Sequence, residues 1–362
     1  MKVNSVYAKN MDLSNRGPRS KLLTAVICCV VVFWGISMYT VVGLCGEKQM
    51  RVRHWSPPNT IASKWLRNST VFHAFRGRLG NQLFQYAAIV GISKHHGAVP
   101  CFDHNPLSEF LQHQEDMCVR TAPTSVTHLD ERDNYATHMP FAIEGDTAIS
   151  GFLQSFRYFS PGDVLRDVQI KQKFKSEARL VLARVLNVTL DSPRVAIHIR
   201  KLHGSDEMLS VRMPGTVFSE DDAYLRFPAP AFFELAMAFV RRQHPDAIFV
   251  VMSDEPEWCA QQSYLQHPNV HIVRLNNAPI LDLALIAECD HVILTRGTFG
   301  WWGAFLGAGA RGGLVVYNAG EFDMQHPVNK NHVVVADFYP AHWVAIPVGI
   351  QLRSDTQWTS LP

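Results

Sequence analysis

The second half of the chain alternates between short apolar runs and longer segments of helical character, and this alternation limits the fold more than any other feature. The runs RVAIHIR, AIFVVMS, HIVRL, HVILT and GLVVYN are rich in β-branched residues and lack apolar–polar alternation, which predicts strands buried on both faces. The segments between them, PAPAFFELAMAFVRRQ, EPEWCAQQSYLQ, ILDLALIAEC and FGWWGAFLGAG, predict helices. Strands that alternate with helices predict a parallel sheet covered on both faces.

The first half opens with a similar unit. VFHAF at residues 71–75 predicts a buried strand, and RGRLGNQ at residues 76–82 predicts a glycine loop. LFQYAAIVGISKHHG then predicts a helix that closes on Gly97, and AVPCF predicts a second strand. This order is a strand, glycine loop, helix and strand unit.

The chain of 362 residues exceeds the usual size of a single domain, so two domains with sizeable cores are expected. Residues 105–145 show little periodicity and predict loops, and a helix is predicted over residues 168–186. We therefore expect an α/β protein with domains over residues 69–190 and 191–345 that face a cleft, followed by a tail over residues 346–362.

An uncharged apolar stretch over residues 22–46 precedes these domains. It is long enough to cross roughly 30 Å of hydrocarbon. A cleaved signal peptide is the alternative, but its apolar core runs only about 7 to 15 residues. Lysine and arginine outnumber acids in residues 1–21, which predicts a cytosolic tail and a single-pass type II topology. Residues 47–68 then predict a stem, and the domains lie on the far side of the membrane.

Cysteines and glycosylation signals on the far side fit a secretory compartment. Asn68 and Asn187 each begin an N-x-S/T sequon. Four cysteines beyond the stem allow three complete disulfide pairings in an oxidising environment. These four are Cys101, Cys118, Cys259 and Cys289.

Charge and motif content argue against two classes of partner. A formal net charge of +2 and the absence of a long basic stripe argue against a nucleic-acid-binding protein. The sequence has no C-x-x-C pair and no Cys/His spacing typical of zinc sites. It also lacks Asp-x-Asp, a pair that holds metals in many enzymes acting on sugar nucleotides. A diphosphate site in this chain would therefore neutralise its ligand with side chains and backbone.

Polar and basic residues gather where the predicted strands end, the edge at which parallel α/β sheets bind ligands. His198 and Arg200 end one strand, Ser253 and Asp254 end the next, and Thr298 is a candidate N-cap after a third. A helix start offers free N–H groups and a positive dipole end to a phosphate, and Arg200 can add a bidentate pair.

The loop RGRLGNQ predicts a contact from the other domain. Gly77 and Gly80 allow a close approach of the backbone to a ligand, and Asn81 and Gln82 add polar groups. A simple turn before a helix explains the same residues. The loop matches neither the Walker pattern nor G-x-G-x-x-G.

Four segments, GRLGNQLFQYAA, VAIHIRK, FVVMSDEPEW and DLALIAECDHVILTRGTFGWWGAFLG, follow one another behind the apolar stretch. Across residues 75–318 the chain thereby resembles the galactoside α-1,2-fucosyltransferases of glycosyltransferase family 11. The resemblance implies a Golgi type II membrane enzyme of GT-B-like fold, with two Rossmann-like domains. It also implies inverting transfer of L-fucose from GDP-fucose to O-2 of a terminal β-galactoside on glycoproteins or glycolipids, without a metal or other cofactor.

The resemblance also assigns residues to the donor. Arg200 and the turn at residues 298–302 would hold the diphosphate, and the GRLGNQ loop would close on it. The turn contributes Thr298, Phe299 and Trp302, although Trp302 also fits a core position on an apolar helix. The other donor residues implied are His198, Lys201, Ser253, Asp254 and Asp282.

The chain departs from the family pattern at one point. The family reads His-x-Arg-Arg followed shortly by Gly-Asp, whereas Lys201 stands here in place of the second arginine. Lysine lacks the planar fork of arginine, so weaker donor binding is one expectation. His203 and Asp206 in the same loop are candidates for the base, with a solvated loop as the alternative.

Two other functions remain open from the sequence. A silent membrane-anchored scaffold would keep the fold and bind glycans without efficient donor binding. A fucosyltransferase with a different acceptor would keep the donor site and change its partner. The sequence leaves open whether the chain is a monomer or a homodimer.

Overall fold

The strands form two sheets. Within each sheet, every pair of neighbouring strands is parallel in the part of the chain that the structure describes. In this computed structural model the described residues are 69–112, 117–131, 136–186, 192–201, 226–274 and 278–347. The strands and helices between them confirm the expected α/β class. In the described chain, helices join consecutive strands throughout the second sheet, but in the first sheet a helix joins only its first two strands in chain order.

The first sheet has five strands in the order β3-β2-β1-β5-β4. Its elements are β1 (Thr70–His73), α1 (Leu79–His96), β2 (Val99–Phe102), β3 (Cys118–Val119), β4 (Thr127–Asp130), β5 (Thr147–Ser150), α2 (Pro161–Asp167) and α3 (Gln172–Leu186). The loops predicted for residues 105–145 are wrong in part, because β3 and β4 lie there. These strands are short and mostly exposed, so they lack the apolar pattern that would reveal them.

The second sheet has six strands in the order β11-β10-β9-β6-β7-β8. Its elements are β6 (Arg194–Ile199), α4 (Pro230–Gln243), β7 (Ile248–Ser253), α5 (Pro256–Cys259), β8 (Val270–Ile272), α6 (Pro279–Glu288), β9 (His291–Leu294), α7 (Thr298–Leu306), β10 (Val315–Asn318), α8 (Pro327–His332), α9 (Val335–Phe338) and β11 (Val344–Ile346). The predicted order of strands and helices is confirmed. The helix predicted from EPEWCAQQSYLQ is shorter than expected, since only α5 and a 3-10 turn form there.

Strand β6 is the topological switch point of the second sheet. The chain leaves β6 towards β7 and β8 on one side, and later returns to place β9, β10 and β11 on the other. Residues 195–199 of β6 are buried, as expected of a central strand covered on both faces. The carboxyl end of a strand at such a switch point is where open α/β sheets bind their ligands.

An aromatic cluster joins the two halves. Phe84 on α1 packs against Trp301 and Trp302 on α7, with ring centroids 4.6 Å and 5.2 Å away. Phe159 lies 5.9 Å from Trp302, and the indole N–H of Trp301 donates to the carbonyl of Phe338. Trp302 is fully buried. The donor-binding role expected for Trp302 is therefore corrected, because its ring lies in the core and offers no face to a sugar.

The cysteines form one disulfide among the residues described. Cys101 on β2 and Cys118 on β3 are bonded, which links two neighbouring strands of the first sheet. Cys259 and Cys289 are buried free thiols. Of the pairings that the four cysteines allow, only the one between Cys101 and Cys118 is therefore formed. Both free thiols are enclosed by the apolar packing of the second half, so their burial has a packing explanation.

Several expectations fall outside the described residues. They include the apolar stretch at residues 22–46, the stem, the sequons at Asn68 and Asn187, and the loop that carries His203 and Asp206. Among the helices that are described, none combines the length and the apolar character needed to cross a membrane.

We expect Gly80→Ala to destabilise the protein. A Cβ at residue 80 would lie 2.6 Å from the backbone nitrogen of Phe299 and 2.7 Å from Oγ1 of Thr298, so α1 and α7 would have to move apart. Overpacking of this kind costs about 1–3 kcal/mol of unfolding free energy. Urea unfolding measures it, with Gly162→Ala in α2 as control because nothing lies within 4 Å of the added carbon there. Equal stability of the two variants would contradict the close helix contact.

Candidate functional site

The carboxyl ends of β7, β6 and β9 bring three polar residues together. Ile199, the last residue of β6, pairs with Ser253 of β7, and His198 pairs with Leu294 of β9. Arg200 therefore emerges between Asp254 and Thr295, the residues that follow the neighbouring strands. The expectation that this edge collects the polar groups around Arg200 is confirmed.

Side chains from both neighbouring strands hold the backbone of Arg200 and Lys201. The N–H of Arg200 donates to Oγ1 of Thr295 at 3.1 Å, and the N–H of Lys201 donates to Oδ1 of Asp254 at 2.9 Å. Arg296 donates to both carbonyls, through Nε to that of Arg200 at 3.0 Å and through Nη2 to that of Lys201. All four backbone polar groups of these two residues thus have side-chain partners, which fixes the chain where it leaves β6.

Asp254 also forms an ion pair with the guanidinium of Arg200. Both side chains are about a quarter exposed, at 23% and 24%. Asp254 therefore orients Arg200 and Lys201. The donor contact that the resemblance implied for Asp254 stays a prediction. Ser253 is also engaged in the turn, since its hydroxyl accepts the N–H of Glu255 at 3.0 Å.

The ammonium of Lys201 lies over two aromatic rings. It is 4.8 Å from the centroid of Phe227 and 5.1 Å from that of Trp258, and these two rings meet edge to face. A cation over an aromatic face is attracted by the negative centre of the ring. These two cation–π contacts thus stabilise the ammonium group of Lys201. The side chain of Arg200 carries the charge that faces Asp254 at the strand end.

His198 is enclosed beside the first turn of α7. Its ring is tilted against Phe299 at 5.5 Å, and a Cβ on Gly300 would lie 2.4 Å from its Nδ1. Burial, followed by the charge of Arg200, lowers the pKa of His198 to about 4, against the opposing effect of Asp254. The ring is therefore neutral at physiological pH. Within the described residues, Nδ1 has no hydrogen-bond partner.

The turn before α7 is held by a carboxylate. Helix α7 begins at Thr298, and Gly297 is its N-cap with φ of 87°, a conformation that favours glycine. The N-cap role predicted for Thr298 is wrong, because its hydroxyl instead donates to Oδ1 of Asn81 at 2.8 Å. Glu321, which follows β10, accepts the N–H of Gly297 at 2.7 Å.

The GRLGNQ segment is partly helix, which corrects the loop predicted for residues 76–82. Gly77 has φ of 73° and stays in the turn, but α1 begins at Leu79 and places Gly80, Asn81 and Gln82 in its first turn. Gly80 does allow a close approach, although to Phe299 of α7 and not to a ligand. The amide of Gln82 closes the turn by donating to the carbonyl of Gly77 at 3.1 Å.

The start of α1 therefore lies directly against the start of α7. Each helix presents the positive end of its dipole and N–H groups that lack partners within the helix. Arg76 and Arg78 are exposed on either side of Gly77. The two helix starts and Arg200 at the end of β6 thus offer N–H donors and positive charge of the kind that binds a phosphate or diphosphate.

A buried carboxyl group supports this site from the first sheet. Glu131 follows β4, is fully buried, and accepts the N–H of Leu153 at 2.6 Å. Leu153 has φ of 53°, which is unfavourable for a non-glycine residue, so this contact holds a strained turn. The next residue, Gln154, donates to Oδ1 of Asn81 at 2.9 Å. Glu131 thus braces the segment that reaches the junction of α1 and α7.

The remaining predicted donor and base residues lie in α6 or outside the described chain. Asp282 is half-buried in the first turn of α6, which begins at the same sheet edge after β8, with β7 between β8 and β6. His203 and Asp206 lie outside the described residues. No group of three or more metal-ligating side chains occurs within the described ranges.

Sequence reasoning missed Arg296, Glu321 and Glu131. Arg296 carried a usable signal, because a cation directly after an apolar strand and before a glycine turn belongs to the same edge as Arg200. Glu321 and Glu131 carried no such signal in the sequence. Each follows a short strand and has another acid nearby in the sequence, and only the fold shows that it is buried.

We expect Glu131→Gln to change how stability depends on pH. Burial raises the pKa of Glu131 to about 8 in the folded chain. Between about pH 4.5 and pH 8 the folded state therefore binds more protons than the unfolded state, so unfolding free energy falls as pH rises. Glutamine keeps an acceptor for Leu153 and loses this titration.

Urea unfolding at pH 5, 6.5 and 8 measures this effect. The variant should gain stability relative to the wild type across this range, by an amount on the order of a few kcal/mol. Glu144→Gln removes an exposed carboxylate and is the control for net charge. A constant difference between the wild type and Glu131→Gln would contradict a buried, neutral Glu131.

Comparisons with known proteins identify a family and several similar proteins. Residues 48–336 match the sequence profile of glycosyl transferase family 11. Galactoside α-(1,2)-fucosyltransferase 2 of Bos taurus is 27% identical over 76% of this chain and 78% of its own length. Galactoside α-(1,2)-fucosyltransferase 1 of Homo sapiens is 28% identical over 70% of this chain and 68% of its own length.

Among solved structures, the fucosyltransferase NodZ from Bradyrhizobium is similar with a TM-score of 0.43 and 14% identity, over 66% of this chain and 93% of that one. The family match is broader than any single motif, since it spans most of both sheets and includes the strand ends at Arg200, Asp254 and Thr295. The chain belongs to glycosyl transferase family 11.

Proposed function

We propose that this chain transfers L-fucose from GDP-fucose to the 2-hydroxyl of a terminal β-galactoside. The relatives named as galactoside α-(1,2)-fucosyltransferases support this reaction. The observation that carries it is the junction of two helix starts beside Arg200, at the switch point of a parallel sheet. This junction provides positive charge and backbone donors where a diphosphate leaving group needs them.

The donor diphosphate would lie against the first turn of α7. The N–H groups of that turn and the guanidinium of Arg200 would neutralise charge that develops on GDP as the bond to fucose breaks. Arg76 and Arg78 would add positive charge from the first half. The lack of Asp-x-Asp in the sequence supports a site that relies on these groups, so we propose that no metal is required.

Transfer with inversion needs a base close to the acceptor hydroxyl. Asp206 and His203 are the candidates, because they follow Arg200 in the chain after β6. The acceptor would be a galactose-terminated glycan on a glycoprotein or glycolipid. It would approach between the two sheets in a GT-B-like arrangement, which the presence of two parallel sheets supports.

We propose a Golgi location with the catalytic part in the lumen. The apolar stretch at residues 22–46, with its cationic flank, supports a type II anchor. The Cys101–Cys118 disulfide supports an oxidising compartment.

A weak or silent donor site is the second candidate, and one observation favours it. The guanidinium of Arg200 is already paired with Asp254, so a diphosphate would have to compete with that carboxylate. Such a protein would keep the fold and bind glycans without efficient transfer.

We expect Arg200→Ala to weaken GDP binding by roughly two orders of magnitude, since it removes the guanidinium that faces the ligand and leaves Asp254 without its partner. Isothermal titration with GDP measures the change. Arg179→Ala is the matched control, because it also removes an arginine paired with a carboxylate, that of Glu288, on the surface of α3. Unchanged GDP affinity in folded Arg200→Ala would exclude a diphosphate role for this residue.

The reaction itself is tested by incubating the protein with labelled GDP-fucose and a simple β-galactoside in EDTA. We expect an α-1,2-linked product, identified by linkage analysis, with most of the activity retained in the chelator. GDP-fucose binding without transfer would indicate a different acceptor. Absence of both would favour the silent scaffold. Loss of activity in EDTA that manganese restores would contradict the metal-free proposal.

A further inference from the structure

Two buried charged residues, Arg296 and Glu321, lie between the two elements of the proposed diphosphate site. Arg296 is 5% exposed and Glu321 is 1% exposed. A buried charge is costly unless it is paired and hydrogen-bonded. The hydrogen-bond partners of Arg296 and Glu321 therefore identify the parts of the chain that these two residues stabilise.

Arg296 holds the chain that leaves β6. Its guanidinium spans two consecutive carbonyls, those of Arg200 and Lys201. Two different nitrogens of the planar fork, Nε and Nη2, donate to the two carbonyls, a geometry that the single nitrogen of an ammonium group does not reproduce. The direction of the backbone at Arg200, and with it the place from which the Arg200 side chain starts, depends on this bridge.

Glu321 holds the turn that starts α7. One carboxylate oxygen accepts the N–H of Gly297, and the other accepts the hydroxyl of Tyr339. Gly297 has a left-handed backbone that no helix or strand would maintain. The carboxylate thereby sets the angle at which the first N–H groups of α7 point towards the site.

The two supports are coupled through the chain. Residues 296 and 297 are neighbours, so a shift in either would move both the strand end and the helix start. Burial raises the pKa of Glu321 to about 7, against the smaller opposing effects of the hydrogen bonds from Tyr339 and Gly297 and of the charge of Arg296. Arg296 and Glu321 thus couple the end of β6 to the start of α7.

We propose that Arg296 and Glu321 are positioning residues that hold Arg200 and the first turn of α7 in one arrangement for a diphosphate. This inference rests on the proposed function. Neither side chain needs to touch the ligand, because both act through the backbone that they bond. Their loss should therefore lower donor affinity beyond any effect on folding.

The test compares Arg296→Lys with Arg311→Lys in the full-length chain. Lysine keeps the charge at residue 296 and loses the bridge between two carbonyls. Arg311 also donates to a backbone carbonyl, that of Cys289, but lies beyond the opposite end of α7. We expect the Kd for GDP to rise at least about tenfold in Arg296→Lys and to stay within about twofold in Arg311→Lys.

Kinetics separate positioning from a purely structural role. Loss of positioning raises KM for GDP-fucose together with the Kd for GDP, whereas loss of folded protein lowers apparent kcat and leaves both constants unchanged. Glu321→Gln provides a second variant if Arg296→Lys does not fold. It should raise the Kd for GDP as well, because the amide replaces one accepting oxygen by a donor that faces Tyr339 or Gly297.

Unchanged GDP affinity in the folded variants, in a wild type that binds GDP, would overturn this inference and leave the proposed function intact. A wild type that binds no GDP would overturn both. Raised Kd in Arg296→Lys and Glu321→Gln, with Arg311→Lys unaffected, supports the positioning roles.

Discussion

The contact between the starts of α1 and α7 is the interaction on which the site depends. It requires Gly80, because any side chain there would meet the backbone of Phe299. The hydrogen bond from Thr298 to Asn81 then fixes the relative position of the two helices. A helix start is a local source of positive potential, and placing two of them together concentrates that potential where neither sheet alone would. The aromatic packing of Phe84 against Trp301 and Trp302 keeps the pair together.

Buried acids keep this electropositive junction in place without neutralising it. Glu131 supports it from the first sheet through Leu153, and Glu321 supports it from the second through Gly297. Each carboxyl group accepts hydrogen bonds from backbone N–H groups or tyrosine hydroxyls, and burial raises the pKa of both. A buried acid with a raised pKa carries less negative charge at a given pH than an exposed one, so it can brace a phosphate site at a smaller electrostatic cost.

The sequence predicted the parts of the fold that carry an apolar pattern. Strands β6, β7 and β9, and helices α4 and α6, were predicted because they are buried and contiguous. Strands β3 and β4 were missed because they are short, exposed edge elements, and their pairing depends on distant partners. At the site, Arg200 and the α7 turn were predicted from their place after strands. The engagement of Asp254 with Arg200 was not predictable, because the sequence does not state which carboxylate a given arginine meets.

The ion pair between Arg200 and Asp254 determines what an anionic ligand must compete with at Arg200. The guanidinium of Arg200 pairs with Asp254, while Asp254 also accepts the N–H of Lys201. A diphosphate with several oxygens can share Arg200 with Asp254, since a guanidinium has five donors in its fork. The backbone of Arg200 would not need to move, because Thr295 and Arg296 hold it independently of Asp254. The strand end is thus organised before a ligand arrives, and binding requires only a local change in the partners of one side chain.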